Sequence, residues 1–123
     1  MIINIDKPIG WTSFDVVKKV KNITKHKKVG HGGTLDPFAS GVLIIGTEKD
    51  TKKLSSITNS DKSYIAELQL GKLTNTLDTE GDIIEEGIVP DLNEEKIVKV
   101  LDAFLGIQKQ RLSLIHISEP TRL

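Results

Sequence analysis

Apolar and polar positions along this chain follow two different periods, and the switches between them sketch its elements. Ile2, Ile3 and Ile5 make a short β-branched run that predicts a strand. Asp6-Lys7-Pro8-Ile9-Gly10 is turn chemistry, with proline fixing φ and glycine admitting positive φ. Phe14, Val17, Val20 and Ile23 then recur at about helical spacing while Lys18, Lys19 and Lys21 face elsewhere. Thr12 and Asp15 have the spacing of a capping pair, so a helix is predicted over about 13–24. Residues 42–46 read as a buried strand and 51–57 as a short helix. In 64–70, Tyr64, Ala66, Leu68 and Leu70 alternate with Ile65, Glu67 and Gln69, the period of a half-buried strand. A polar, acidic loop over 74–82 leads to a short strand at 83–86. Asn93 caps a second helix with Glu94 and Glu95 in its first turn. Ile97, Val100, Leu101 and Phe104 form its apolar stripe, and Gly106 is its stop signal. Strands mixed with helices, one of them alternating, predict an α+β sheet fold.

Composition narrows the classes. The 123 residues suit one domain rather than a large multi-domain enzyme. Absent cysteine removes disulfides, thiolate zinc sites and cysteine nucleophiles. Trp11, Phe14, Phe38, Tyr64 and Phe104 are the only aromatics, so the core is expected to be Ile, Leu and Val. No apolar run approaches the ~20 residues of a membrane span, and the opening residues lack the pattern of a signal peptide.

Charge changes the picture more. The formal net charge is zero, yet residues 1–35 hold seven Lys against two acids and residues 61–110 hold five Lys against eleven acids. Such a split can guide a polyanion to one face. Lys18, Lys19, Lys21, Lys25, Lys27 and Lys28 are the residues expected to track phosphates, the plainer reading being a solvated helix face. All basic residues of 1–110 are Lys, whereas Arg111 and Arg122 lie in the last thirteen positions.

Candidate chemistry concentrates in Gly30-His31-Gly32-Gly33-Thr34-Leu35-Asp36-Pro37. Glycines there let the backbone turn sharply and let a ligand approach closely. Pro37 restricts Asp36 to extended conformations. The segment therefore aims a carboxylate from a stiff backbone, beside an imidazole and next to a buried strand. The competing reading is a structural turn in which Asp36 bonds local amides. No Gly-Lys-[Ser/Thr] follows for a phosphate loop, the glycine spacing is wrong for a dinucleotide fingerprint, and His26 with His31 lacks a third plausible zinc ligand.

At these residues the chain resembles the N-terminal half of the TruB-type tRNA pseudouridine synthases. Asp6-Lys7-Pro8-Ile9-Gly10-Trp11-Thr12-Ser13 is similar to the first motif of that family, and residues 30–37 continued by Ala39-Ser40-Gly41-Val42-Leu43 to its catalytic loop. Asp61-Lys62-Ser63-Tyr64 resembles the motif with the active-site tyrosine, and Gly71, Thr74-Asn75-Thr76-Leu77-Asp78 and Gly81 the pattern after it. The resemblance runs in order from about residue 2 to 110. It implies the N-terminal half of a catalytic fold with a mixed, mainly antiparallel sheet flanked by helices. It implies Asp36 as catalytic aspartate, with His31 and Tyr64 against the nucleotide. Lys7, Pro8, Gly30, Gly33, Leu35 and Pro37 would support the loop, with no metal and no cofactor. The expected activity is isomerisation of uridine 55 in the tRNA T-loop by a cytoplasmic monomer. A non-catalytic RNA-binding fragment, an incompletely folded piece and a guide-RNA-dependent synthase are the alternatives.

The resemblance also implies a truncated catalytic domain over 1–110 that is inactive alone. Residues 111–123 are similar to a translated sequencing adapter and are expected to be a non-native tail.

Overall fold

The computed structural model describes residues 1–109, so the expectation for the tail lies outside the described residues. The chain divides after Tyr64 into two units.

The first unit is built on an antiparallel sheet of strands β1 (Ile2–Lys7), β2 (Val29–Gly32) and β3 (Gly41–Thr47), in the order β1-β3-β2. The central strand pairs from Ile2 with Gly46 to Lys7 with Gly41 on one side, and from Val29 with Thr47 to Gly32 with Ile44 on the other. Helix α1 (Ser13–Thr24) begins where Thr12 caps it: Asp15 N–H donates to Thr12 Oγ1 at 3.0 Å, and Thr12 N–H donates to Asp15 Oδ2 at 2.9 Å. It ends at Lys25, whose φ of 58° is left-handed and whose N–H donates to Lys21 O at 3.0 Å.

The buried face of α1 is Ser13, Val16, Val17 and Val20. Phe14 and Ile23, expected to share that face, are 69% and 67% exposed. At 3.6 residues per turn they lie roughly 70–110° around the helix from its centre, and Val16 takes the place given to them. Val16, Val17 and Val20 pack with Leu43 and Ile45 of β3, flanked by Ile3, Ile5 and Val29. The core is aliphatic, as the composition required, and each fully buried side chain contributes about 1.5–3 kcal/mol.

A 3-10 turn (Glu48–Lys53) runs into helix α2 (Leu54–Thr58), so the short helix expected over 51–57 is reached through a tighter first half. Leu54 of α2 is buried against the sheet. A Cβ on Gly30, Gly32 or Gly46 would stand 3.4, 3.3 or 3.0 Å from its side chain. At Gly30 that is ordinary contact, whereas at Gly46 and, less tightly, at Gly32 the missing side chain makes room for Leu54.

The second unit carries a two-stranded antiparallel sheet of β4 (Lys72–Thr74) and β5 (Ile83–Glu86), with an irregular register between Leu73 and Thr74. Helix α3 (Glu94–Asp102) starts where Asn93 Oδ1 accepts the Lys96 N–H at 2.9 Å. It stops before Gly106, in a turn where the Ala103, Phe104 and Leu105 amides bond three residues back. Its stripe of Ile97, Val100, Leu101 and Phe104 is present but exposed among the described residues.

The strand expected over 64–70 does not form. Residues 61–69 have no helix or strand, and Tyr64, Ile65, Leu68 and Leu70 are all exposed. Alternation supplies a face but not a neighbour, and a strand exists only by exchanging backbone hydrogen bonds with one. No described helix is long and apolar enough to cross a membrane.

Candidate active site

The segment around Asp36 is held by the turn and helix start that precede it in sequence. Lys7, at the end of β1, is 0% exposed. Its Nζ donates to Trp11 O at 2.6 Å and Pro8 O at 3.1 Å, which fixes the turn over residues 8–11. A buried ammonium costs much unless it is hydrogen-bonded, and these carbonyls meet that need. The turn reaches the candidate loop twice. Gly10 N–H donates to Pro37 O at 2.6 Å. The Ser13 hydroxyl accepts from Leu35 N–H at 3.1 Å and lies 3.3 Å from Leu35 O, to which it donates.

Asp36 sits between those two attachments. Its carbonyl accepts from Ala39 N–H at 3.0 Å, closing a turn through Pro37 and Phe38. Its side chain is exposed, and no hydrogen bond to its carboxylate occurs among the described residues. That differs from a structural turn in which the aspartate caps its own amides.

His31 stands on β2 rather than in a loop, opposite Ile45. Its Nδ1 lies 2.5 Å from Gly33 O, and since a carbonyl only accepts, Nδ1–H is the donor of that bond. Gly33 supplies the geometry with φ of 91°, which bends the chain out of β2 toward Leu35. Gly32 faces the Leu54 side chain rather than open space, and Gly33 is the segment's turn-maker.

Lys7, Pro8, Leu35 and Pro37 are thus tied together around Asp36 by backbone and side-chain bonds. Ser13 and Gly10 belong with them and escaped the sequence reading. In the sequence Ser13 shows only as part of a motif beside a helix cap, because its partner lies 22 residues away. Tyr64 is not brought in: it is 69% exposed, and among the described residues no hydrogen bond joins it to His31 or Asp36.

Lys18, Lys19, Lys21, Lys25, Lys27 and Lys28 are all exposed, and none forms an ion pair among the described residues. Gly10, Trp11, Asp15, Lys18, Lys19 and Asn22 line an open groove of about 320 Å³ beside the turn. The connector after α1 is shaped by Glu48, whose Oε1 accepts the Lys27 and Lys28 amides at 2.8 and 3.3 Å. The Lys28 amide leads in holding the Glu48 carboxyl below its ordinary range, with the Lys27 amide and the charges of His26 and Lys27 adding to it against the cost of burial.

Residues 21–116 match the sequence model of the TruB family pseudouridylate synthase N-terminal domain. The tRNA pseudouridine synthase B of Ureaplasma urealyticum serovar 10 is 58% identical over 85 residues, covering 69% of this chain and 37% of that protein. The protein of the same name from Clostridium acetobutylicum is 50% identical over 105 residues, covering 85% and 36%. The chain therefore spans little more than a third of these relatives. Among solved structures, a Cbf5–Nop10–Gar1 complex contains a chain with a TM-score of 0.63 at 31% identity, covering 96% of this chain and 30% of that one. An H/ACA RNP bound to a substrate RNA containing 2'-deoxyuridine gives a TM-score of 0.59 at 33% identity, covering 90% and 29%.

Proposed function

The chain belongs to the TruB family of pseudouridylate synthases, and on that premise we propose that its full-length parent converts uridine to pseudouridine in the T-loop of tRNA, at position 55, with Asp36 as the catalytic carboxylate. The observation that carries this reading is an exposed carboxylate without a local partner, on a loop tied to the fold on both sides. The reaction breaks the N1–C1′ bond of uridine, turns the uracil and joins C1′ to C5. C5 loses a proton and N1 gains one, so no electrons are exchanged and no redox cofactor is called for. A carboxylate can divide such a reaction into two easier steps.

The target base leaves its stack to reach Asp36. His31 and Tyr64 would replace part of the lost stacking. The six lysines of residues 18–28 and the groove beside Trp11 would follow the phosphate backbone of the T-stem-loop. Such an enzyme would act in the cytoplasm as a monomer. The 123-residue chain alone is inactive in this reading, because it spans only 36–37% of the relatives.

The test is pseudouridine yield on an unguided T-loop RNA with the full-length parent and its Asp36→Asn variant. Turnover by the parent and loss of at least about a thousandfold in the variant are expected for removal of a nucleophile. Normal yield from the variant would refute the assignment. A parent that binds RNA without turnover would favour a binding role.

A further inference from the structure

Ser13 is buried, with 3% of the residue exposed, and its hydroxyl both donates to and accepts from the backbone of Leu35, the residue before Asp36. A serine hydroxyl has one proton to give and lone pairs to receive. Here it receives the Leu35 N–H at 3.1 Å and gives its proton to the Leu35 carbonyl at 3.3 Å. Leu35 thereby gains on a side chain the two bonds that an adjacent strand would otherwise supply. On the other side of Asp36, the Pro37 carbonyl takes the Gly10 amide at 2.6 Å. The two arms leave from one short stretch, residues 10–13, which is anchored below by Lys7 and begins the helix whose valines form the core. Movement of α1 against the sheet would therefore be passed directly to the backbone that carries the carboxylate.

From this geometry we infer that Ser13 is a positioning residue for Asp36: its hydroxyl sets where the carboxylate stands relative to the base without touching substrate. The inference rests on Asp36 being the catalytic group. It separates placement from affinity. A displacement of about 1 Å at a reacting group can cost on the order of a hundredfold in rate, whereas the exposed lysines that would hold RNA remain unaltered.

The experiment uses the full-length parent under single-turnover conditions with T-loop RNA, measuring rate and Kd for Ser13→Ala beside Asp36→Asn. The expected result is a rate lowered roughly ten- to a hundredfold, with Kd within about twofold of the parent and faster amide exchange at Leu35. Ser13→Cys keeps the volume but bonds weakly, and it gives the same result if the alanine variant does not fold. Wild-type rate in a folded Ser13 variant, with Asp36→Asn inactive, overturns the inference and leaves the proposed activity standing. A rise in Kd that accounts for the whole loss also overturns it, because Ser13 would then serve binding. Activity in Asp36→Asn overturns the proposed activity itself. Should neither Ser13 variant fold, amide exchange in the unaltered protein decides: protection of Leu35 supports the inference, and exchange at the rate of a free loop sinks it.

Discussion

Asp50 collects two positive charges on one carboxylate, Lys53 Nζ at 2.8 Å and the Met1 amine at 2.9 Å. The Lys53 bond leads and the amine follows in bringing its pKa from 3.8 down to about 2, against a smaller opposing cost of burial. A depressed folded-state pKa contributes stability above the unfolded value and loses it as pH falls through the folded one. Asp50→Asn is therefore expected to be less stable than the parent above pH 3.8, with the difference closing toward about pH 2. Acid unfolding followed by circular dichroism at low salt checks this, and a constant difference across the range would count against it. Two other residues show how far single positions can be read from sequence. Asp36 was legible because an Asp-Pro step after glycines restricts the backbone whatever surrounds it. Gly32 was harder to read, because a missing side chain announces that space is needed without saying that Leu54, rather than a ligand, lies against it.

At the scale of elements, the bounds of α1 were the most legible part, because its cap is local, whereas its buried face turned out to be Ser13, Val16, Val17 and Val20 rather than one shared by Phe14 and Ile23. Thr12 and Asp15 bond each other's amides at 3.0 and 2.9 Å, and the Thr12 backbone N–H leads in holding the Asp15 carboxyl below its ordinary range. Thr12→Ala is expected to destabilise the full-length protein by about 1 kcal/mol. Urea titration measures this, and Thr12→Ser should recover most of it. The harder elements were those whose pattern needs a partner. Residues 64–70 alternate well enough to suggest a strand, and α3 has a continuous apolar stripe, yet among the described residues neither is covered. Amphipathic order states which face wants burial, and only a second surface turns that into structure.

Over the whole chain the zero net charge separates into a basic first 35 residues and an acidic stretch from 61 to 110. If the lysines of α1 meet phosphates, each contact adds about 0.7–0.9 to the slope of log K against log salt. Changing Lys18, Lys19 and Lys21 together to Gln in the full-length parent should then weaken T-loop RNA binding and lower that slope by about 2–3. Asp36→Asn should leave the slope as it was, and an unchanged slope in the triple variant would place the RNA elsewhere. The central position of β3 has a further consequence, one of time. β1 leaves the ribosome before β3, and its partners run up to Gly46 opposite Ile2. At ~5–20 residues per second, β1 waits on the order of 2–8 seconds for its neighbour to be made. For that interval Ile3 and Ile5 belong to a strand with no sheet, so slowing translation before β3 should lengthen the window in which a chaperone or a wrong edge can capture it.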